Sequence, residues 1–323
     1  MIAQDLVRDS FYCDGHADTF RTLTLEGGRF DVEENGCHLS LPRLLQAHQN
    51  LQIMAIYTTY EERGAASTVT ALRVIEYALA QIEQSGCGLI RNKTDLTHCR
   101  EQKTPWVLLS LEGADPLMGS LEVLRAFFRS GLRGIGLTHN HNSVAAGGCA
   151  PPDGQRTGLT PFGRDLLPEM SRLGMLIDTA HLGQQALDEA LALVTGPIIN
   201  SHSCCRKFVD LERNLDDEQL RAIAATGGLS AVTYVPKFLV AEGEAGVADV
   251  FRHLEHMVEV AGIDHVGLGS DFDGVDVLPN GLKSPLHTPA LVQMMIDAGW
   301  NSAQIAQVLG GNWLRVLGHV MPV

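Results

Sequence analysis

His16 and Asp18 close the apolar run Phe11-Tyr-Cys-Asp-Gly-His-Ala-Asp18, two residues apart. On a strand, positions i and i+2 face the same side, so an imidazole and a carboxylate stand where one divalent cation can be held by both. The local alternative is a strand end followed by a helix that Asp18 caps. The same kind of ending recurs along the chain. Apolar runs terminate in Glu112, in His139-Asn140-His141, in His181, in His202, and in Asp271 with Asp273. Imidazole and carboxylate are the donors that suit hard to borderline divalent metals such as zinc, with Mn, Co or Fe accepted by the same ligands. The set His16, Asp18, Glu112, His181 and His202 is too large for one ion unless a ligand is spare. It suits two ions bridged by Glu112, which would clamp a hydroxide and polarise the bond it attacks. Each residue also has a plain reading: a histidine hydrogen-bonded after a strand, Glu112 at a helix start, Asp271 capping a turn. Recurrence at successive strand ends favours a shared site.

Such residues need a scaffold that gathers strand ends on one face. Eight short apolar runs can be marked: 11–15, 51–57, 106–111, 134–138, 176–179, 197–200, 228–233 and 265–270. Helical patterns lie between them at 71–84, 120–130, 216–225 and 247–261. Strands alternating with helices imply parallel pairing. Eight units in this length predict a (β/α)8 TIM barrel, whose catalytic groups collect at the C-terminal ends of the strands. Residues 1–323 are expected to form one domain. Residues 23–45 and the Gly/Pro-rich 147–166 fit the repeat poorly and read as loops near the active face. A terminal helix pair is expected at 302–309 and 312–317, broken at Gly310-Gly311. The remaining histidines, His38, His48, His98, His253, His256, His287 and His319, have no partner motif and read as structural. His265 begins its run and belongs at the opposite end of the barrel.

The formal net charge is −14, with 38 acidic against 24 basic residues and no basic cluster. That disfavours nucleic acid and anionic membrane as partners. No apolar run reaches the roughly 18 residues of a membrane span, and the termini resemble neither a secretory signal nor a lipid-anchor tail. The seven cysteines are scattered without a Cys-x-x-Cys spacing, which reads as free thiols in a cytoplasmic protein.

The motifs together resemble the membrane (renal) dipeptidase family of zinc metallopeptidases, within the amidohydrolase-like barrels. The segments are Asp14-Gly-His-Ala-Asp18, Ser110-Leu-Glu-Gly113, Leu137-Thr-His-Asn140, Asp178-Thr-Ala-His181, Asn200-Ser-His-Ser203, Gly269-Ser-Asp-Phe-Asp-Gly274 and Gly310-Gly-Asn-Trp-Leu-Arg-Val316. They run in order through almost the whole chain. The resemblance implies two Zn2+ ions, one on His16, Asp18 and Glu112, the other on Glu112, His181 and His202. It implies that His139 contacts the scissile carbonyl and that Asp271 carries the proton from water to the leaving amine. It aligns Arg213 with an arginine that grips the substrate's free carboxylate, for which guanidinium geometry is well suited. A surface arginine paired with Glu212 or Asp216 is the alternative for Arg213, and Arg206 is the competing candidate. The implied substrate is a small dipeptide, L-Xaa-D-Xaa included, and the implied assembly a homodimer. Amidohydrolase-like barrels also open other amides, lactones and esters, and a non-catalytic metal-binding barrel is a third reading. The loop 142–152 and the segment 232–236 depart from the animal members and are expected to line side-chain pockets.

Overall fold

Near-continuous runs of Leu, Ile, Val and Met form strands buried on both faces, and these close on themselves. The computed structural model describes residues 1–323. Its strands are β1 (Cys13–Ala17), β2 (Leu51–Tyr57), β3 (Gly88–Leu89), β4 (Trp106–Glu112), β5 (Leu132–Gly136), β6 (Leu176–Asp178), β7 (Ile199–Ser203), β8 (Leu229–Val232) and β9 (Val266–Leu268). All pairings are parallel, and β2 pairs with both β1 and β4, so eight strands make a closed ring in the order β1-β2-β4-β5-β6-β7-β8-β9. The chain is an α/β TIM barrel. The two-residue β3 stays outside the ring, paired with the start of β4; it is too short to carry a sequence pattern.

Alternation along the strands builds two cores. Ile53 and Leu108 point into the barrel, while Met54, Val107 and Leu109 pack outward against the helices. The C-terminal helix Asn312–Val320 plugs the barrel floor with Trp313, Val316 and Leu317. Trp313 donates from Nε1 to the Leu268 carbonyl at 3.2 Å, and its ring leaves room for no side chain at Gly15. The floor is therefore apolar and solid, which leaves the opposite mouth for chemistry.

Two expected loops are partly helical. Residues 23–45 overlap the helices Thr19–Glu26 and Leu41–Gln46, the second capped by Ser40. Within 147–166, Thr160 caps the helix Pro161–Leu173 with Pro161 in its first turn, a start signal that the Gly/Pro content masked. The helix 247–261 stands as read, and the helix Ala65–Ser85 begins earlier than expected. Near the C-terminus the helix Ser302–Ala306 passes through a kink at Gly310 before Asn312–Val320. All seven cysteines are free and buried. No helix is long and apolar enough to cross a membrane.

Candidate metal centre

Two bulges aim histidines into the barrel mouth. Asp14 pairs with Gln52 and Ala17 with Met54, so three steps on β1 oppose two on β2. The same slip occurs where Asn200 pairs with Ser230 and Ser203 with Val232. A bulge inserts one residue and re-aims the side chain beside it; here those side chains are His16 and His202. Asp14 anchors the first bulge, its buried carboxylate accepting from the backbone N–H groups of His16 and Ser270. Asp178 does the same for the second, accepting from Ser201 N at 2.9 Å.

Asp18 lies one residue beyond β1, at the N-cap position of Thr19–Glu26, yet its side chain makes no capping hydrogen bond. Its Oδ2 lies 3.5 Å from His16 Nε2 instead. Glu112, the last residue of β4, reaches both sides: Oε2 is 3.6 Å from His16 Nε2, while Oε1 is 3.1 Å from His181 Nε2 and 3.6 Å from His202 Nε2. Three buried ligand triads form: His16–Asp18–Glu112 and Glu112–His181–His202, which share one carboxylate, and His16–His202–Asp271. Asp271 joins from beyond β9, its Oδ1 3.9 Å from His16 Nε2.

Three residues here hold left-handed backbone: His181, Asp271 and Asp273, with φ of 65°, 67° and 66°. Non-glycine residues avoid this region unless the surroundings hold them there, and such residues gather at functional sites. Those surroundings are visible. Asp271 N donates to the His16 carbonyl, and Asp273 accepts from Thr19 Oγ1 and from His38 N, each at 2.5 Å. His38, read from sequence as structural, clamps the β9 loop, with its Nδ1 also accepting from Asp273 N at 2.9 Å.

The donor set suits a divalent metal. His16 Nε2 and Asp18 Oδ1 are buried with no hydrogen-bond partner, a costly arrangement unless a cation satisfies them. Burial and the nearby Arg213 push His181 well below the usual imidazole range, and burial with His16 does the same to His202; the neutral ring is the ligand form. Burial would raise Glu112, but His16 and His181 hold it well below the usual carboxylate range. Asp271 goes the other way, up to about 7, through burial and the nearby Asp18 and Glu112 carboxylates.

Asp18, Glu112, His139, His181 and Asp271 line one cavity of about 160 Å³. Pockets for drug-sized ligands run to roughly 300–1,000 Å³, so this one fits a small substrate. The His139 ring stands 4.5 Å from that of His181 and 4.7 Å from Tyr57. Arg213 is buried and pairs with neither Glu212 nor Asp216, which are taken by Arg156 and Arg206. Its guanidinium bonds Ser203 Oγ and the His202 carbonyl and lies 3.1 Å from both nitrogens of His181. One guanidinium cannot bond both diverging ring nitrogens in plane, so this contact is through the ring face. The His181 Nδ1–H is left for Asn140 Oδ1 at 2.8 Å. Arg206, bound to Asp216 and backbone carbonyls, is not brought to the site.

The segment 232–236 does not line this cavity: Tyr234 is buried and packs edge-on to Phe272. Ser143 of the other divergent loop does line a neighbouring cavity, with Tyr60, Asp115 and His141. Arg21 and Tyr57, which have no metal-ligand chemistry to mark them in sequence, also line the main cavity.

Comparison with known proteins shows the family and the fold. The family model described as membrane dipeptidase (peptidase family M19) matches residues 2–323. An uncharacterised dipeptidase of Schizosaccharomyces pombe is 36% identical over 222 residues, covering 66% of this chain and 54% of that protein. The chain thus spans about half the length of that curated relative. Among solved structures, the family M19 metallopeptidase dipeptidase AC superposes with a TM-score of 0.89 at 27% identity, covering 97% of this chain and 99% of that one. A metallopeptidase from Rhodobacter sphaeroides, liganded with a phosphinate mimic of the dipeptide L-Ala-D-Ala, gives 0.89 at 26% identity, covering 97% and 100%.

Proposed function

The chain belongs to the membrane dipeptidase family, peptidase family M19, and we propose that it is a dinuclear zinc dipeptidase that cleaves small dipeptides bearing a free C-terminal carboxylate. The observation that carries this reading is the pair of buried triads joined through Glu112. His16, Asp18 and Glu112 would hold one ion; Glu112, His181 and His202 the other. Bound there, two divalent ions would supply Lewis acidity toward the scissile carbonyl and lower the pKa of water at the site.

The chain's own groups do the rest. Asp271 accepts a proton from the attacking water and returns it to the departing amine, from a buried position 3.9 Å from His16 Nε2. His139, kept neutral by burial, donates one N–H to the carbonyl oxygen as negative charge develops. Arg213 is a buried cation with no carboxylate of its own, which favours binding of the substrate's terminal carboxylate at its free N–H. The relative bound to an L-Ala-D-Ala mimic supports an L-Xaa-D-Xaa substrate. A dipeptide library, L,L against L,D, assayed on protein of measured metal content tests the reading. Turnover of free dipeptides but not of their C-terminal amides is expected; equal turnover of both would remove Arg213 from its role.

A further inference from the structure

Arg21 carries a guanidinium into the main cavity. It sits on the helix Thr19–Glu26, where its Nε donates to the carbonyl of Tyr57 at 3.1 Å, its one hydrogen bond. The nearest carboxylate, Glu62, stands 3.8 Å from its Nη2 and is already satisfied by Thr59 N and Thr70 Oγ1, each at 2.9 Å. Its guanidinium lies 5.0 Å over the Tyr57 ring and Nη2 keeps only the long contact to Glu62, so Nη1 has no protein partner, and the residue lines the cavity that holds Glu112, His139 and Asp271.

Its place relative to Arg213 matters. Tyr57 ends β2, and the loop bearing Arg213 follows β7; four steps separate these strands in the eight-membered ring. The two cations therefore lie on opposite sides of the barrel ring, Arg21 on the cavity lining and Arg213 behind His181, with Glu112 on the β4 side between them. A dipeptide whose C-terminal carboxylate lies at Arg213 directs its N-terminal residue toward Arg21. A planar guanidinium fork can receive a carboxylate on its terminal N–H groups.

We propose that Arg21 is a specificity-determining residue that receives a carboxylate on the side chain of the substrate's N-terminal residue, so that dipeptides beginning with Glu or Asp are preferred. This rests on the dipeptidase reading above. A merely structural Arg21, steadying Tyr57 and Glu62, would give no such preference.

The test compares L-Glu-D-Ala with L-Ala-D-Ala on the metal-loaded enzyme, wild type against Arg21→Gln and Arg21→Lys. The wild type is expected to favour L-Glu-D-Ala in kcat/KM by at least tenfold, mainly through KM. That ratio should collapse in Arg21→Gln and be partly kept in Arg21→Lys. Calorimetric binding of the phosphinate mimics of both dipeptides should show the same ratio in Kd without turnover, and on the wild type alone should Arg21→Gln not fold. Hydrolysis of L-Ala-D-Ala without any preference for L-Glu-D-Ala, or a ratio unchanged in Arg21→Gln, overturns the role of Arg21 and leaves the dipeptidase reading intact. Hydrolysis of neither overturns both.

Discussion

His181 and His202 point their Nε2 atoms at each other across 2.9 Å. Asn140 engages the Nδ1 of the first and Ser201 that of the second, both at 2.8 Å, so two lone pairs can be left facing. A cation held by His181 and His202 would make the facing of two lone pairs favourable. Metal removal is therefore expected to destabilise the protein. Chelator-stripped enzyme should melt several degrees lower, and added zinc should raise Tm with concentration, as ligand linkage requires. A Tm indifferent to chelation and to zinc would contradict this.

Asp271→Asn keeps the shape of the site and removes the proton carrier. It should retain metal and lose kcat by roughly 10²–10⁴, the usual worth of a positioned acid–base group. Asp271 must be deprotonated to accept its proton, and in the metal-free site it is held at about 7. Bound cations favour the charged form and pull that value down. The acidic limb of the kcat/KM profile is thus expected below pH 7, with activity falling as pH drops. A limb that persists unchanged in an active Asp271→Asn enzyme would assign it to another group.

Gly274 closes the β9 loop against two carboxylates. A Cβ there would collide with Asp271 Oδ1 and Asp18 Oδ2, and its backbone is not left-handed. Gly274→Ala should therefore fold but displace both carboxylates. Activity is expected to drop about 100-fold, the scale for a misplacement near 1 Å, together with weaker metal retention. Circular dichroism, metal analysis and kcat together check this; full activity would mean that the loop yields freely.

His253 is buried on the helix 247–261, where its Nδ1 accepts from Cys205 N at 2.9 Å and its Nε2–H donates to the Leu239 carbonyl at 3.0 Å. Burial lowers its pKa to about 4, below an unfolded value of about 6.5. The unfolded chain then binds the extra proton first as pH falls. The contribution of this residue is complete above pH 6.5 and is lost as pH drops through 4, a change on the order of 3 kcal/mol. Urea unfolding of wild type and His253→Gln across that window should show a shallower pH slope for the variant. Identical slopes would contradict the assignment.

Much of this architecture was legible because burial on both faces forces apolar runs: 51–57 is β2 to the residue. The ligand residues stood out because strand-end chemistry departs sharply from such runs. Contacts distant in sequence carried no comparable signal. His38 meets Asp273 across 235 residues, and nothing around His38 hints at the clamp. Arg21 looked like any helix arginine because its place on the cavity wall depends on how β1 and β2 close the ring. The bulges at His16 and His202 were equally silent, since a register slip leaves no mark in a single strand's composition. The i, i+2 reading paired His16 with Asp18, but the barrel brings them together through a bulge and a helix start rather than an unbroken strand.

The central claim is that Glu112 joins two metal ions. Elemental analysis of wild type and Glu112→Ala, each purified under zinc-replete conditions, tests it most directly. The account predicts about two ions per chain in the wild type, and loss of both metal and hydrolysis in Glu112→Ala. A metal-free wild type that hydrolyses dipeptides at full rate, or a Glu112→Ala protein that keeps two ions, would contradict it.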